Sequence, residues 1–139
     1  MPVEHSEALV RRLFEAWNGA DTAIVDEVVA ADAVPAHEGT SPGRESWKEA
    51  IAFYRSAFPD LHYEIDDLIA TDEKVTVRWT ATGTDTVGFM GMAPTGRRAS
   101  VAGINIFRVE NQLLAEHWDQ WDLAGLLAQL GALPAPTTA

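Results

Sequence analysis

Ile104-Asn105-Ile106-Phe107-Arg108-Val109-Glu110-Asn111-Gln112-Leu113-Leu114-Ala115-Glu116-His117-Trp118-Asp119-Gln120-Trp121-Asp122 is the stretch that decides the architecture. It reads as two long strands joined by the tight turn Glu110-Asn111-Gln112. The second strand ends in a packet of acid, imidazole and indole groups. Strand alternation puts Ala115, His117, Asp119 and Trp121 on one face and Glu116, Trp118 and Gln120 on the other. On the preceding strand Val101, Gly103, Asn105 and Phe107 share a face. Ionisable groups in an apolar strand are costly to bury without a purpose or a partner. His117, Asp119 and Asp122 are therefore the first places to look for chemistry.

Working outward, Leu123 to Gly131 reads as a short closing helix. Upstream, Val75, Val77, Trp79 and Ala81 alternate with Thr76, Arg78, Thr80 and Thr82 over another strand. Thr71-Asp72-Glu73-Lys74 is a hairpin turn, and Tyr63, Ile65 and Leu68-Ile69-Ala70 mark the strand before it. Gly88 to Gly96 is a loop with apolar content (Phe89, Met90 and Met92) of the kind that covers something. The N-terminal half has the helical period. Ser6 can cap a helix running to about Asn18, with Leu9, Val10, Leu13, Phe14 and Trp17 on one face. A shorter helix carries Ile24, Val25, Val28 and Val29. A third has Trp47, Ala50, Ile51, Tyr54 and Phe58 along one side, and Pro59 stops it. Ala33 to His37 reads as a short edge strand, since Pro35 bars it from a sheet interior. Three helices, a run of antiparallel strands and a last short helix make the α+β class, with helices packed on one face of a curved sheet. Such a curve leaves a concavity, where ligands bind. Residues 1–131 form one domain by this reading, and 132–139 form a flexible tail.

Composition sets the bounds. The chain has 139 residues, 47% hydrophobic and 22% charged, with net charge −11 and no cysteine. That is a globular composition with enough apolar residues for a core. The acidity disfavours nucleic acid, because phosphates would be repelled. No apolar run is long enough to span a membrane, and the N-terminus does not have a signal-peptide pattern. Without thiols there is no disulfide framework, so the cytoplasm is the expected location.

Phe58-Pro59-Asp60-Leu61, Gly83-Thr84, Pro94-Thr95-Gly96-Arg97, Gly103-Ile104 and the terminal run Glu116-His117-Trp118, Asp122, Gly125-Leu126-Leu127 and Gln129-Leu130-Gly131 together resemble the SnoaL-like polyketide cyclases, or ester cyclases. The resemblance runs from the first helix to Gly131. It implies the nuclear-transport-factor-2-like (cystatin-like) cone, with three N-terminal helices on a curved antiparallel or mixed sheet. In that family an Asp near the end of the last long strand is the acid/base of an intramolecular aldol closure, with no metal or organic cofactor. Asp119 matches it. An assisting His on the preceding strand is matched by Asn105, which can donate to an oxyanion but cannot shuttle a proton. A His common after the Gly-Thr pair is Asp85 here, a change expected to alter pocket polarity.

The same fold carries ketosteroid isomerases and limonene-type epoxide hydrolases. The isomerase pattern needs a Tyr on the first helix, where this chain has Phe14 and Trp17. The hydrolase pattern needs an Arg and an Asp two apart on one strand, and Arg78 is followed by Trp79 and Thr80.

The resemblance therefore implies a cofactor-independent cyclase or isomerase acting on a small, mostly apolar, polyketide-like carbonyl compound. Asp119 would be acid/base, Asn105 the enolate donor, and His117 a second acid/base candidate or a strand residue. A carboxyl group in an apolar hollow has its charged form disfavoured, which suits it to carry protons. The alternative is a non-catalytic small-molecule binding protein of the same fold. His37, with Glu38 beside it, and Trp17, Phe53, Trp79, Phe89, Met92, Phe107 and Trp121 are the candidates for substrate contact. A metal site is disfavoured, because His5, His37 and His62 have no ligand spacing to go with His117 and Asp119. Trp118, on the opposite face from Asp119, points to a homodimer through the outer sheet face.

Overall fold

A computed structural model describes residues 2–36, 39 and 41–132. Helix α1 spans Pro2–Gly19, α2 Ala23–Val28 and α3 Arg44–Ala57, followed by strands β1 (His62–Ala70), β2 (Lys74–Thr84), β3 (Arg98–Glu110) and β4 (Leu113–Trp121) and helix α4 (Leu123–Gln129). The strands form one antiparallel meander in the order β1-β2-β3-β4, with the helices on its concave face. The α+β expectation holds, with a wholly antiparallel sheet. One parallel bridge, Val29 to Leu114, attaches the segment after α2 to the last strand.

The hairpin between β3 and β4 follows from its turn. Asn111 and Gln112 have φ of 50° and 64°, and Glu110 pairs with Leu113. Two positive φ values in a two-residue turn match the twist of the flanking strands and lock their register. Register decides which side chains face inward. Val77, Trp79 and Ala81 on β2 and Ala99 and Phe107 on β3 are buried against Leu9, Val10, Leu13 and Phe14 of α1 and Trp47 and Ile51 of α3. A shift in the β1 register between Ile65 and Asp67, and another in β3–β4 beside Ala115, bend the sheet. The second lets neighbouring Leu114 and Ala115 both be buried.

Three local expectations are corrected. Ser6 does not cap α1, which starts four residues earlier. Pro2 suits a first helical turn, and Ser6 is instead buried against the β1–β2 turn, its hydroxyl 3.4 Å from the Asp72 carbonyl. Val29 is extended rather than helical, since it is spent on the bridge to Leu114. The described part of Ala33 to His37 forms no strand. Its bonds include Val34 N–H to the Ala115 carbonyl, the Trp47 indole N–H to the Val34 carbonyl and Ala36 N–H to the Ser46 hydroxyl.

The tail from 133 onward lies outside the described residues, as do His37 and Glu38. Among the described residues no helix is long and apolar enough to cross a membrane.

Candidate active site

Between the concave face of the sheet and helices α1 and α3 lies an apolar hollow. Its empty space is about 1050 Å³, counted out through its mouth. Its walls are mostly rings: Phe14 and Trp17 from α1, Trp47 and Tyr54 from α3, and Tyr63, Trp79, Phe107 and Trp121 from the sheet. Leu126 of α4 closes part of the rim.

Three polar side chains of the central hairpin enter this apolar space: Asn105, His117 and Asp119. The reason is pleat and register. Asn105 and Asp119 are direct partners across β3–β4, as are Phe107 and His117, so all four face the same side. The Trp79 indole N–H donates to Asn105 Oδ1 at 2.8 Å. The His117 ring sits 4.5 Å from Trp47 and 5.8 Å from Phe107, centroid to centroid. The structure thus brings Asp119, Asn105 and His117 to one wall, with Trp17, Trp79, Phe107 and Trp121 around them.

Other expected contacts fall elsewhere. Phe53 is 54% exposed and does not line the hollow. The inward stripe of α3 is Trp47, Ala50 and Tyr54, and Phe53 is about 100° off it. Phe89 is buried, but behind the wall, against Phe53, Tyr54 and Phe58. Met92 packs half-buried on the same core and is likewise outside the lining. The loop they belong to covers the outer side of α3's end, not the hollow. Asp85 has no part in pocket polarity. Its buried carboxylate accepts from the Gly88 N–H, the Thr95 N–H and the Thr95 hydroxyl, and so latches that loop shut.

Asp122 is not a chemical group of the site either. It is the N-cap of α4, its carboxylate accepting the Gly125 N–H at 2.8 Å. A side chain at 125 would collide with that carboxylate, so the Asp122-x-x-Gly125 spacing is a capping requirement. Gln129 is structural in the same sense, since its amide bonds both the N–H and the carbonyl of Ser100 and fixes α4 to β3. Among the described residues no group of three or more His, Asp or Glu is placed to hold a metal ion.

The lining residues that were not among the expected contacts include two phenols. Tyr54 and Tyr63 both line the hollow. Burial, and then the charge of Asp119, push the Tyr54 phenol above the ordinary tyrosine value. Burial raises Tyr63 further, helped by Tyr54 and Asp119. Both stay protonated and can donate. Tyr54 was visible as a member of the helical stripe and Tyr63 as a strand aromatic, but neither pattern tells a wall residue from a core one.

The sequence profile of the SnoaL-like polyketide cyclase family matches residues 7–130. The aklanonic acid methyl ester cyclase of Streptomyces peucetius is 29% identical over 134 residues, covering 93% of this chain and 92% of that one. Among solved structures, TsrD of Streptomyces laurentii superposes with a TM-score of 0.87 at 33% identity, covering 94% of this chain and 97% of its own. AclR of Streptomyces galilaeus, proposed there to be a hydroxylase, gives 0.84 at 30% identity, with 97% and 90% covered.

Proposed function

The chain belongs to the SnoaL-like polyketide cyclase family, and from that premise we propose that it closes a ring in a small, mostly apolar polyketide-like carbonyl compound by acid–base catalysis in the cytoplasm, with no cofactor. One observation carries the proposal: a carboxylate and an amide face each other across two strands inside an aromatic hollow. The Asp119 carboxylate takes a proton from a carbon beside a carbonyl. The electron pair moves onto that carbonyl oxygen, and the Asn105 N–H group holds the resulting enolate. The enolate carbon then attacks a second carbonyl of the same molecule, forming a C–C bond. The alkoxide so made recovers the proton from Asp119. The aromatic walls exclude water, which would otherwise quench the enolate.

The methyl ester cyclases among its relatives make aklanonic acid methyl ester the first substrate to try. Asp119→Asn should lower ring closure about 10²–10⁴-fold while leaving substrate affinity largely intact. Turnover unchanged by that substitution would sink the assignment of Asp119. The second reading, a non-catalytic binding protein, draws on Asn105, a group unable to shuttle a proton. It is favoured if wild-type protein binds such esters, converts none of them, and Asp119→Asn alters affinity alone.

The outer sheet face supports a homodimer. Ile69, Thr76, Ile106 and Trp118 form one cross-strand row. Ile69, Ile106 and Trp118 are 67%, 38% and 46% exposed, with Ile104 beside them at 48%. An exposed, largely apolar row of this kind can be covered by a second copy related by a two-fold axis.

A further inference from the structure

We propose that Trp79 and Gly103 are positioning residues that make Asn105 an obligate hydrogen-bond donor, so that the site favours ligands presenting an anionic oxygen there. The inference rests on the reading of Asn105 given above.

An asparagine amide is ambivalent: one end accepts and the other donates. An indole nitrogen only donates. The 2.8 Å bond from Trp79 Nε1 therefore fixes the Asn105 oxygen toward Trp79, and the NH₂ group toward the remaining space. Without that bond the amide could turn over and offer its oxygen instead. Trp79 is held in this pose from two sides. Tyr63 packs against its ring at 4.9 Å and 63°, and Trp17 packs against Tyr63 at 5.2 Å. Below it, Gly103 is its direct partner on β3. A Cβ at 103 would overlap the six-membered ring of the indole, so only glycine lets Trp79 lie flat across β3 toward residue 105. The three residues thus set one polarity. A group already oriented needs no rearrangement as negative charge develops on a bound oxygen, which is where such donors have their largest effect.

The test uses ligands, not turnover. Asp119→Asn stands in for the protonated carboxyl group and is the background. The probes are 4-nitrophenolate, an oxyanion on an apolar ring, and nitrobenzene, the same ring without that oxygen. Calorimetric titration should find that adding Trp79→Phe weakens nitrophenolate about tenfold and nitrobenzene by less than about twofold. Gly103→Ala, which keeps the indole but displaces it, should give the same selective loss, as should Asn105→Ala. If Trp79→Phe weakens both probes alike, Trp79 is only a wall and the proposal is overturned. If it weakens neither while Asn105→Ala does, the donor role of Asn105 stands and the positioning role falls. If Asn105→Ala has no effect, or the background variant does not bind nitrophenolate, both fall together.

Discussion

Trp47 meets His117 edge-on, with ring centroids 4.5 Å apart and planes at 71°. Phe107 packs against the same imidazole, so His117 is stacked among rings while Asp119, two residues along, stands opposite the Asn105 amide. From this geometry we propose that His117 serves chiefly as part of the wall. His117→Phe preserves ring packing and is expected to keep at least about a tenth of wild-type kcat/KM. General acid–base groups contribute about 10²–10⁴-fold, so a loss beyond a hundredfold in a folded variant would move the proton step to His117.

Tyr63 gives the folded state an alkaline limit. Its phenol is raised by burial and by the nearby charges, so the folded chain holds that proton more tightly than the unfolded chain does. The stabilisation is complete below the ordinary value of 10.0 and is lost as pH climbs through the higher folded value, because the unfolded state ionises first. Melting temperature should fall more steeply above that point in wild type than in Tyr63→Phe. Parallel curves for the two proteins would mean the group does not govern alkaline stability.

The cap on α4 should have a measurable effect. Asp122→Ala removes the acceptor for the Gly125 N–H and should cost about 1 kcal/mol in urea unfolding, within the range for lost caps. Asp122→Asn retains an acceptor and should cost only a fraction of that. Because Leu126 on this helix lines the hollow, the Ala variant should also bind apolar ligands less tightly.

Association through the sheet depends on the row Ile69, Thr76, Ile106 and Trp118. Ile106→Lys puts a charge at its centre. Sedimentation should find wild type as a dimer and the variant as a monomer, with the circular dichroism spectrum unchanged. A wild-type monomer at high concentration would end the dimer proposal.

Much of the hairpin was legible from local pattern. Alternation along Ala115 to Trp121 has one physical cause, the two-residue pleat, and it put His117, Asp119 and Trp121 together on sequence alone. The stripe Trp47, Ala50, Tyr54 was legible for the same kind of reason. Phe53 was expected to touch substrate, although it lies off that stripe, and it faces solvent. Phe89 and Met92 lie outside the lining of the hollow, and a loop has no period to say which way its side chains turn.

By itself the sequence determined the long helices and strands, their order and the faces they bury, since those follow from spacing along a few residues of chain. The tertiary structure alone decided what each polar group does. Asp85, Asp119 and Asp122 are the same residue type, yet one latches a loop, one faces a hollow and one caps a helix. A carboxylate's role is set by the donors that reach it. For Asp85 they come from up to ten residues away, and for the Asn105 amide the donor comes from a different strand. Only folding brings such partners together.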